Sequence, residues 1–288
     1  MKSSPARIGR ILAATAVTGA AALALAAVPA AQAATSPGTT VVHGLRATPA
    51  IHLPSTHLPH LTPEAEAVSS NWSGYAAVAK TGGTIRYAVT SFNIPSVNCS
   101  KSPPGTSGYA YAAHWVGLDG YNDSTVEQTG VDAYCPSTSG PAGYYAWYEM
   151  YPLDPVAFSG VNPGDAITVS VYYSGGKYNL ILKDTTTGGE INTTQPCPAG
   201  SKCKNKSAEV ITEDPGGAVP AYNLADYANV NYTNTGVTSS SGLRGTLAAS
   251  AQWTSAEIAM EDPSSVIMAQ PSGLEGGAAF DDLWKKAS

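Results

Sequence analysis

Histidine is nearly absent from the larger part of this 288-residue chain: after Ser69 only His114 remains. No serine lies in a G-x-S-x-G turn, so a Ser-His-Asp hydrolase is disfavoured, and His114 fits a packed or rim position better. Zinc lacks ligands, because the cysteines show no C-x-x-C spacing and have few histidine partners. No glycine-rich phosphate loop precedes a helix. We therefore expect no metal and no cofactor, which leaves carboxylates and amides as catalytic candidates.

Charged residues are also scarce, at 12% of the chain. Four of the 15 basic and two of the 21 acidic residues precede Ser69, so the part from Ser69 onward has a formal charge of −8. A surface of this sign disfavours nucleic acid as a partner. A domain with few carboxylates in charge-dependent contacts also has less stability to lose in acid.

Long apolar runs are missing after the first residues. A basic start is followed by an Ala-rich run over residues 11–28 and by a small-x-small pattern over residues 31–33. This order predicts a cleaved signal peptide over residues 1–33. A membrane anchor needs about 20 strongly apolar residues, and this run is only weakly apolar. We therefore expect a secreted, extracellular product without a membrane partner.

Residues 34–68 are rich in Pro, Thr and His and show no apolar period of either kind. This composition is typical of disorder and fits either a plain linker or a propeptide. We favour a largely disordered propeptide, because export and hydrolysis often occur together. Its four histidines become charged in acid, and we expect the segment to inhibit its own domain. They are His43, His52, His57 and His60.

Four cysteines in an exported chain predict two disulfides, for which three pairings are open. Cys197 and Cys203 flank a turn-rich stretch, so a local bridge between them is the simplest choice. That choice leaves Cys99 to pair with Cys135.

Residues 69–288 show the strand period rather than the helix period. Apolar and polar residues alternate over residues 84–90, 167–173 and 178–183, with Gly and Pro clusters between such segments. The last stretch, residues 280–286, fits a short helix or a final strand. Many short strands with frequent turns predict an all-β fold, an antiparallel β-sandwich forming one domain. We expect this domain to be a monomer.

Polar and aromatic side chains share one face of three predicted strands. These strands lie in residues 126–132, 145–151 and 209–213. Alternation puts the Gln, Glu, Asp, Trp and Tyr side chains of each segment together. One interpretation is an exposed wet face of an antiparallel sheet, and the other is a binding groove.

Four motifs follow one another along the chain after Ser69. They are Ser70-Asn71-Trp72-Ser73-Gly74, then Trp115-Val116-Gly117-Leu118-Asp119-Gly120 with Glu127-Gln128-Thr129-Gly130-Val131-Asp132, then Ala146-Trp147-Tyr148-Glu149-Met150-Tyr151-Pro152, and last Ser207-Ala208-Glu209-Val210-Ile211-Thr212-Glu213-Asp214. Together, in this order, they resemble the glutamic peptidase (eqolisin) family. The resemblance implies a sandwich of two bent antiparallel sheets with a concave substrate groove.

The same resemblance implies the residues of the site. Gln128 and Glu213 match the catalytic pair of an acid endopeptidase with protein or peptide substrates. Seven further positions match residues that support the pair or hold substrate: Trp72, Trp115, Asp119, Asp132, Trp147, Glu149 and Tyr151. The chain departs from the usual pattern at Met150, Val210 and Thr212, and these changes affect packing and subsite shape.

A second segment of the chain, similar in sequence to the last motif, offers an alternative to Glu213. Residues 207–215 resemble residues 255–263, and Glu261 also precedes Asp-Pro. We prefer Glu213 because it follows the Trp147 motif in family order and precedes an Asn-Leu-Ala-Asp segment.

Other functions fit the same aromatic face. A carbohydrate-binding module would stack sugar rings on Trp and Tyr side chains. A glycosidase would use two carboxylates, for example Glu149 with Glu213. A peptide-binding protein without activity is a third alternative, which the intact Gln128 and Glu213 disfavour.

Overall fold

The computed structural model describes residues 38–48, 67–215 and 223–288. The predicted signal peptide and most of the predicted propeptide lie outside the described residues. Those residues form 19 β-strands and one short 3-10 helix, and none of their helices is long and apolar enough to cross a membrane.

The elements are β1 (Thr39–His43), β2 (Arg46–Thr48), β3 (Ala67–Ser69), β4 (Trp72–Ala79), β5 (Ile85–Asn93), the 3-10 helix (Cys99–Lys101), β6 (Ala110–Leu118), β7 (Val126–Cys135), β8 (Gly143–Tyr151), β9 (Val156–Ser159), β10 (Ala166–Ser174), β11 (Lys177–Asp184), β12 (Glu190–Pro196), β13 (Ser207–Glu213), β14 (Asn223–Leu224), β15 (Asn229–Ser239), β16 (Arg244–Gly245), β17 (Trp253–Glu261), β18 (Ile267–Pro271) and β19 (Phe280–Trp284).

The strands form two sheets. Sheet A has the order β1-β12-β11-β10-β5-β15-β16 and is antiparallel throughout. Sheet B has the order β2-β9-β8-β7-β6-β13-β4-β17, followed by β18 and β19. The long strand β15 joins them, because its first half pairs with β19 and its second half with β5. The prediction of an antiparallel β-sandwich is confirmed.

Alternating side chains explain the layers. In β10 the apolar positions Ile167, Val169 and Val171 are buried, whereas the positions between them are half-buried or exposed. They pack with side chains of sheet B such as Val116 and Val131 into the core between the sheets.

A second apolar cluster covers the other face of sheet B. It is built from aromatic side chains, among them Trp72, Trp115 and Trp147. Strands β6, β7 and β13 are therefore buried on both faces, apart from one half-buried position near the end of β7. The interpretation of this polar and aromatic face as an exposed wet surface is wrong, because its carboxylates and amides are buried among indole and phenol rings.

Both predicted disulfides are present. Cys99 pairs with Cys135, with a Cα separation of 5.3 Å, and Cys197 pairs with Cys203 at 6.0 Å. The first ties the 3-10 helix to the end of β7. The last stretch of the chain is a strand, β19.

The segment predicted to be largely disordered contains strands. β1 pairs with β12 at the edge of sheet A, and β2 pairs with β9 at the edge of sheet B. The sequence analysis missed them because each is short and borrows its hydrogen bonds from an edge strand instead of forming its own hairpin.

Candidate active site

Four neighbouring strands of sheet B, in the order β13, β6, β7 and β8, carry the predicted catalytic pair. Gln128 on β7 is paired with Gly117 of β6 and with Glu149 of β8. Glu213 on β13 is paired with Ala113 of β6. Ala113 and Gly117 are four residues apart on one strand, so their side-chain positions point to the same face. Gln128 and Glu213 therefore share a face, with β6 between them.

The indole of Trp115 connects the two side chains. Its Nε1 donates a hydrogen bond to Glu213 Oε2 at 2.8 Å. Its opposite edge lies over Gly117, since a Cβ placed on that glycine would come within 2.9 Å of Trp115 Cζ3 and 3.3 Å of Gln128 Cβ. The Glu213 carboxylate and the Gln128 side chain thus lie at two ends of one indole ring, although their backbones are four residues apart along the strand direction.

Glu213 has a second donor, which the sequence analysis did not assign to the site. Asn71 Nδ2 donates to Glu213 Oε1 at 3.2 Å, and both side chains are buried. Asn71 directly precedes Trp72 in the first motif, so its place in that motif could have indicated a role in the site. Two N–H donors therefore fix the direction of this buried carboxylate.

The Gln128 amide is oriented by a carboxylate. Its Nε2 donates to Glu149 Oε2 at 2.5 Å, across the β7–β8 pair. Gln128 Oε1 is buried and accepts no hydrogen bond from the described residues. One amide hydrogen and the amide oxygen therefore remain available for further hydrogen bonds.

Asp132 supports the aromatic wall of the site. Tyr145 Oη donates to Asp132 Oδ2 at 2.5 Å, and Trp147 Nε1 donates to Asp132 Oδ1 at 2.8 Å. Trp72 completes the wall, because its ring meets Trp115 edge-on at a centroid distance of 4.9 Å. The structure thus brings these predicted residues together around the pair.

Asp119 and Tyr151 lie at the margin of the site. The Asp119 carboxylate accepts the backbone N–H groups of Lys204, Asn205 and Lys206 at 2.6–2.7 Å, so it holds the loop before β13. Burial and the nearby charge of Asp123 raise the pKa of Asp119 to about 7. Tyr151 is half-buried at the end of β8.

Glu209 is a further buried carboxyl on this face. It is paired with Gly117, so it stands level with Gln128. Neither of its carboxylate oxygens accepts a hydrogen bond from the described residues. Burial raises its pKa well above the usual range, helped by the charges of Asp119, Asp123 and Glu127. The pairing register of β13, β6 and β7, taken alone, would favour Glu209 over Glu213 as the carboxyl partner of Gln128.

His114 and Glu261 lie apart from the pair. His114 is buried on the opposite face of β6, within 3.2 Å of the hydroxyls of Thr212 and Tyr232, and burial lowers its pKa to about 3. Glu261 is half-buried at the end of β17, three strands away from β6.

Strands β13 and β17, which contain the two similar segments, lie on either side of β4. Their pairing registers with β4 differ by one residue. Glu209 and Ala256 both pair with Ala76. Residues that correspond in the two similar segments therefore do not pair with the same residue of β4.

Among residues 38–48, 67–215 and 223–288, no group of three or more His, Cys, Asp or Glu side chains is arranged to hold a metal ion.

The fold and the site together define a β-sandwich protein with a buried amide and carboxylate pair framed by indoles. The sequence model of the Peptidase A4 family matches residues 70–272, which is well over half of the chain. The chain belongs to this family.

Two curated relatives are similar in sequence. Aspergillopepsin-2 of Aspergillus niger is 32% identical over 194 residues, 60% of this chain and 66% of the relative. Scytalidopepsin B of Scytalidium lignicola is 34% identical over 152 residues, 51% of this chain and 52% of the relative. The chain therefore spans between half and two thirds of the length of these relatives.

A solved structure shows the same fold. The crystal structure of scytalido-glutamic peptidase with a transition state analog inhibitor matches with a TM-score of 0.60. The match covers 75% of this chain and 98% of that chain at 24% identity.

Proposed function

We propose that this chain is a secreted endopeptidase that acts in acid and hydrolyses peptide bonds with Gln128 and Glu213. One observation carries the proposal. The Trp115 indole donates to the Glu213 carboxylate at one end, and its other end lies over Gly117, the residue of β6 that pairs with Gln128. The resemblance of the motifs supports this pair, and membership of the Peptidase A4 family supports peptide hydrolysis.

We assign Glu213 as the general base on the motif resemblance and on the fixed direction of its side chain. Its carboxylate accepts hydrogen bonds from Asn71 Nδ2 and Trp115 Nε1. Glu209 accepts no hydrogen bond from the described residues, and burial raises its pKa well above the usual range, so it favours the protonated form. A free Glu has a pKa of about 4.3, so a carboxylate can serve as a base in mild acid, where an ordinary imidazole is already charged.

Gln128 stabilises the reacting groups without titrating. One N–H of its amide is held by Glu149, which fixes the plane of the amide. The other N–H can donate to the oxyanion that develops on the scissile carbonyl. An amide stays neutral in acid, so the stabilisation survives there.

The proton then follows the broken bond. Glu213 takes a proton from water as the water oxygen bonds to the carbonyl carbon. Protonated Glu213 gives that proton to the leaving nitrogen as the C–N bond breaks, which regenerates the carboxylate. The products are a free carboxyl group and a free amine.

The glycosidase alternative fits the structure less well. A glycosidase needs two opposed carboxyl groups about 5–9.5 Å apart with the sugar between them. Glu149 accepts a hydrogen bond from Gln128 Nε2 instead, and Glu213 accepts hydrogen bonds from Asn71 Nδ2 and Trp115 Nε1.

Three isosteric variants separate the carboxylates. We expect Glu213→Gln to lose casein cleavage in acid, whereas the distant Glu261→Gln retains it. Glu209→Gln tests the rival that stands level with Gln128. Thermal unfolding of each variant shows whether it is folded. A folded Glu213→Gln that still digests casein, or a Glu209→Gln that alone loses activity, contradicts the assignment.

Gln128→Ala tests the amide in the same assay. We expect activity to fall about 100-fold or more, as on removal of an oxyanion donor. Polysaccharide binding or cleavage without casein cleavage would instead support the carbohydrate alternatives.

A further inference from the structure

The free edges of both sheets are covered by one short segment. β1 adds to β12 with five paired residues, and β2 adds to β9 with three. Without this segment, β12 and β9 would each have a neighbour on one side only, β11 and β8. An uncovered edge presents unpaired backbone N–H and C=O groups.

Leu45 anchors the segment between the two sheets. A Cβ placed on Gly160, just after β9, would come within 3.2 Å of Leu45 Cδ2. A Cβ placed on Gly189, just before β12, would come within 3.0 Å of the same atom. The two glycines therefore form a slot for Leu45, one wall from each sheet, which a larger residue at either position would narrow.

The turn between the strands is fitted to that slot. Gly44 adopts a φ of +67°, and a Cβ on it would lie 3.1 Å from Gly189 Cα. A glycine is needed here both for the left-handed backbone and for the close approach. The sequence Gly44-Leu45 is therefore specific to this place.

Side chains add contacts to both sheets. Thr40 Oγ1 lies 2.7 Å from Thr193 Oγ1 on β12 of sheet A. It also lies 3.4 Å from Tyr148 Oη on β8 of sheet B. Val42 and Leu45 pack against the core between the sheets, whereas Val41 is 47% exposed.

We propose that the edges of β9 and β12, with the slot between Gly160 and Gly189, form a docking site for an extended strand with a Gly-Leu turn. Residues 38–48 are its occupant. The segment that the sequence analysis treats as a propeptide thus binds its domain by strand addition at the edges, on strands other than those that carry Gln128 and Glu213. No catalytic step is needed for this binding, so the proposal stands apart from the proposed function.

Hydrogen exchange of the full chain tests the docking site. The chain carries Glu213→Gln so that it does not process itself. Leu45→Asp removes the anchor, and Gly189→Val closes the slot from the other side. We expect the amides of β9 and β12 that face β2 and β1 to exchange about tenfold faster or more in both variants, whereas those that face β8 and β11 keep their protection. Val41→Asp is the matched control and should exchange like the parent.

A peptide with the sequence of residues 38–48 then tests the occupant. Added to the Leu45→Asp chain, it should restore protection at both edges, while the same peptide with the Leu45→Asp change should not. Unchanged exchange in both slot variants, equal loss in Val41→Asp, or failure of the natural peptide to restore protection would overturn the proposal.

Discussion

The Glu213 carboxylate depends on nitrogen donors from the two neighbours of β13. Asn71 directly precedes β4 and Trp115 is on β6, so the two donors approach the carboxylate from opposite sides of β13. This arrangement fixes the direction of the carboxylate. Activity should therefore be sensitive to the loss of one of these N–H groups.

Trp115→Phe removes the indole N–H and keeps an aromatic ring. We expect kcat for a peptide substrate in acid to fall about tenfold to a hundredfold, as is usual when a supporting hydrogen bond is lost. The control is Trp253→Phe, because Trp253 Nε1 donates to the backbone oxygens of Thr246 and Ala248 instead. Equal kcat values in the parent and Trp115→Phe would show that this bond does not position Glu213.

At this scale the motifs predicted most of the site. Residues of the Trp115, Gln128 and Trp147 motifs converge because they lie on adjacent strands in register. The loop-holding bonds of Asp119 could not be predicted, because its partners are backbone N–H groups of a distant loop with no side-chain signature. That Glu209 stands level with Gln128 could not be predicted either, because it follows from the strand register, which sequence motifs do not contain.

The pairing of β6 with β7 sets the distance between Trp115 and Gln128. Gly130, opposite Trp115, allows close approach: a Cβ on it would lie 2.3 Å from His114 O and 2.5 Å from Trp115 Cβ. Gly130→Ala should push the strands apart and cost about 1–3 kcal/mol in the free energy of unfolding. Activity should fall with it.

Gly273→Ala is the matched control, because a Cβ there meets nothing within 4 Å. Urea denaturation of both variants measures the effect. Equal stability of the two would mean that the strands can part without cost.

The two disulfides should differ in their contribution to stability. The two cysteines are 36 positions apart in Cys99–Cys135 and 6 positions apart in Cys197–Cys203. Chain entropy then predicts a loss of about 4 kcal/mol for replacing the first pair with Ala and about 2 kcal/mol for the second. Denaturant titration of the two double variants checks the order, and a larger loss for the short loop would contradict it.

The long strands could be predicted because one face of each packs on the opposite sheet, as β10 shows. The short edge strands β1 and β2 could not, since their stability comes from β12 and β9 rather than from their own sequence. The interpretation of the polar and aromatic face as solvent-exposed was wrong for a related reason. The alternation of residues along a strand shows which side chains share a face, but it does not show what packs against that face.

At the scale of the whole described domain, four buried carboxyl groups form no ion pair with a described cationic side chain. Burial is the main cause that raises the pKa of Asp119 to about 7 and of Asp282 to about 6, and that raises those of Glu127 and Glu209 well above the usual range. Each folded pKa exceeds the unfolded value of about 4, so the folded state binds more protons. Their stabilising effect is complete below about pH 4 and is lost as the pH rises through the folded values.

We therefore expect the melting temperature to fall as the pH rises from 4 to 8. His114 acts in the opposite direction, because its lowered pKa makes the folded state bind fewer protons than the unfolded chain between about pH 3 and 6.5. Asp262, whose pKa is lowered chiefly by its hydrogen bond with Lys286, acts in the same direction as His114 at the acid end of this range, so two groups oppose four carboxyls. Thermal unfolding from pH 3 to 8 measures the balance, and a melting temperature that rises through this range would refute it.

A crystal structure in acid with a tetrahedral analogue of a cleaved peptide would test the central claim most directly. We expect one oxygen of the tetrahedral centre to lie about 2.6–3.2 Å from the Gln128 amide, and the other oxygen to lie equally close to the Glu213 carboxylate. An analogue whose second oxygen contacts Glu209 instead, or that leaves the Gln128 amide without a contact, would contradict the proposed pair.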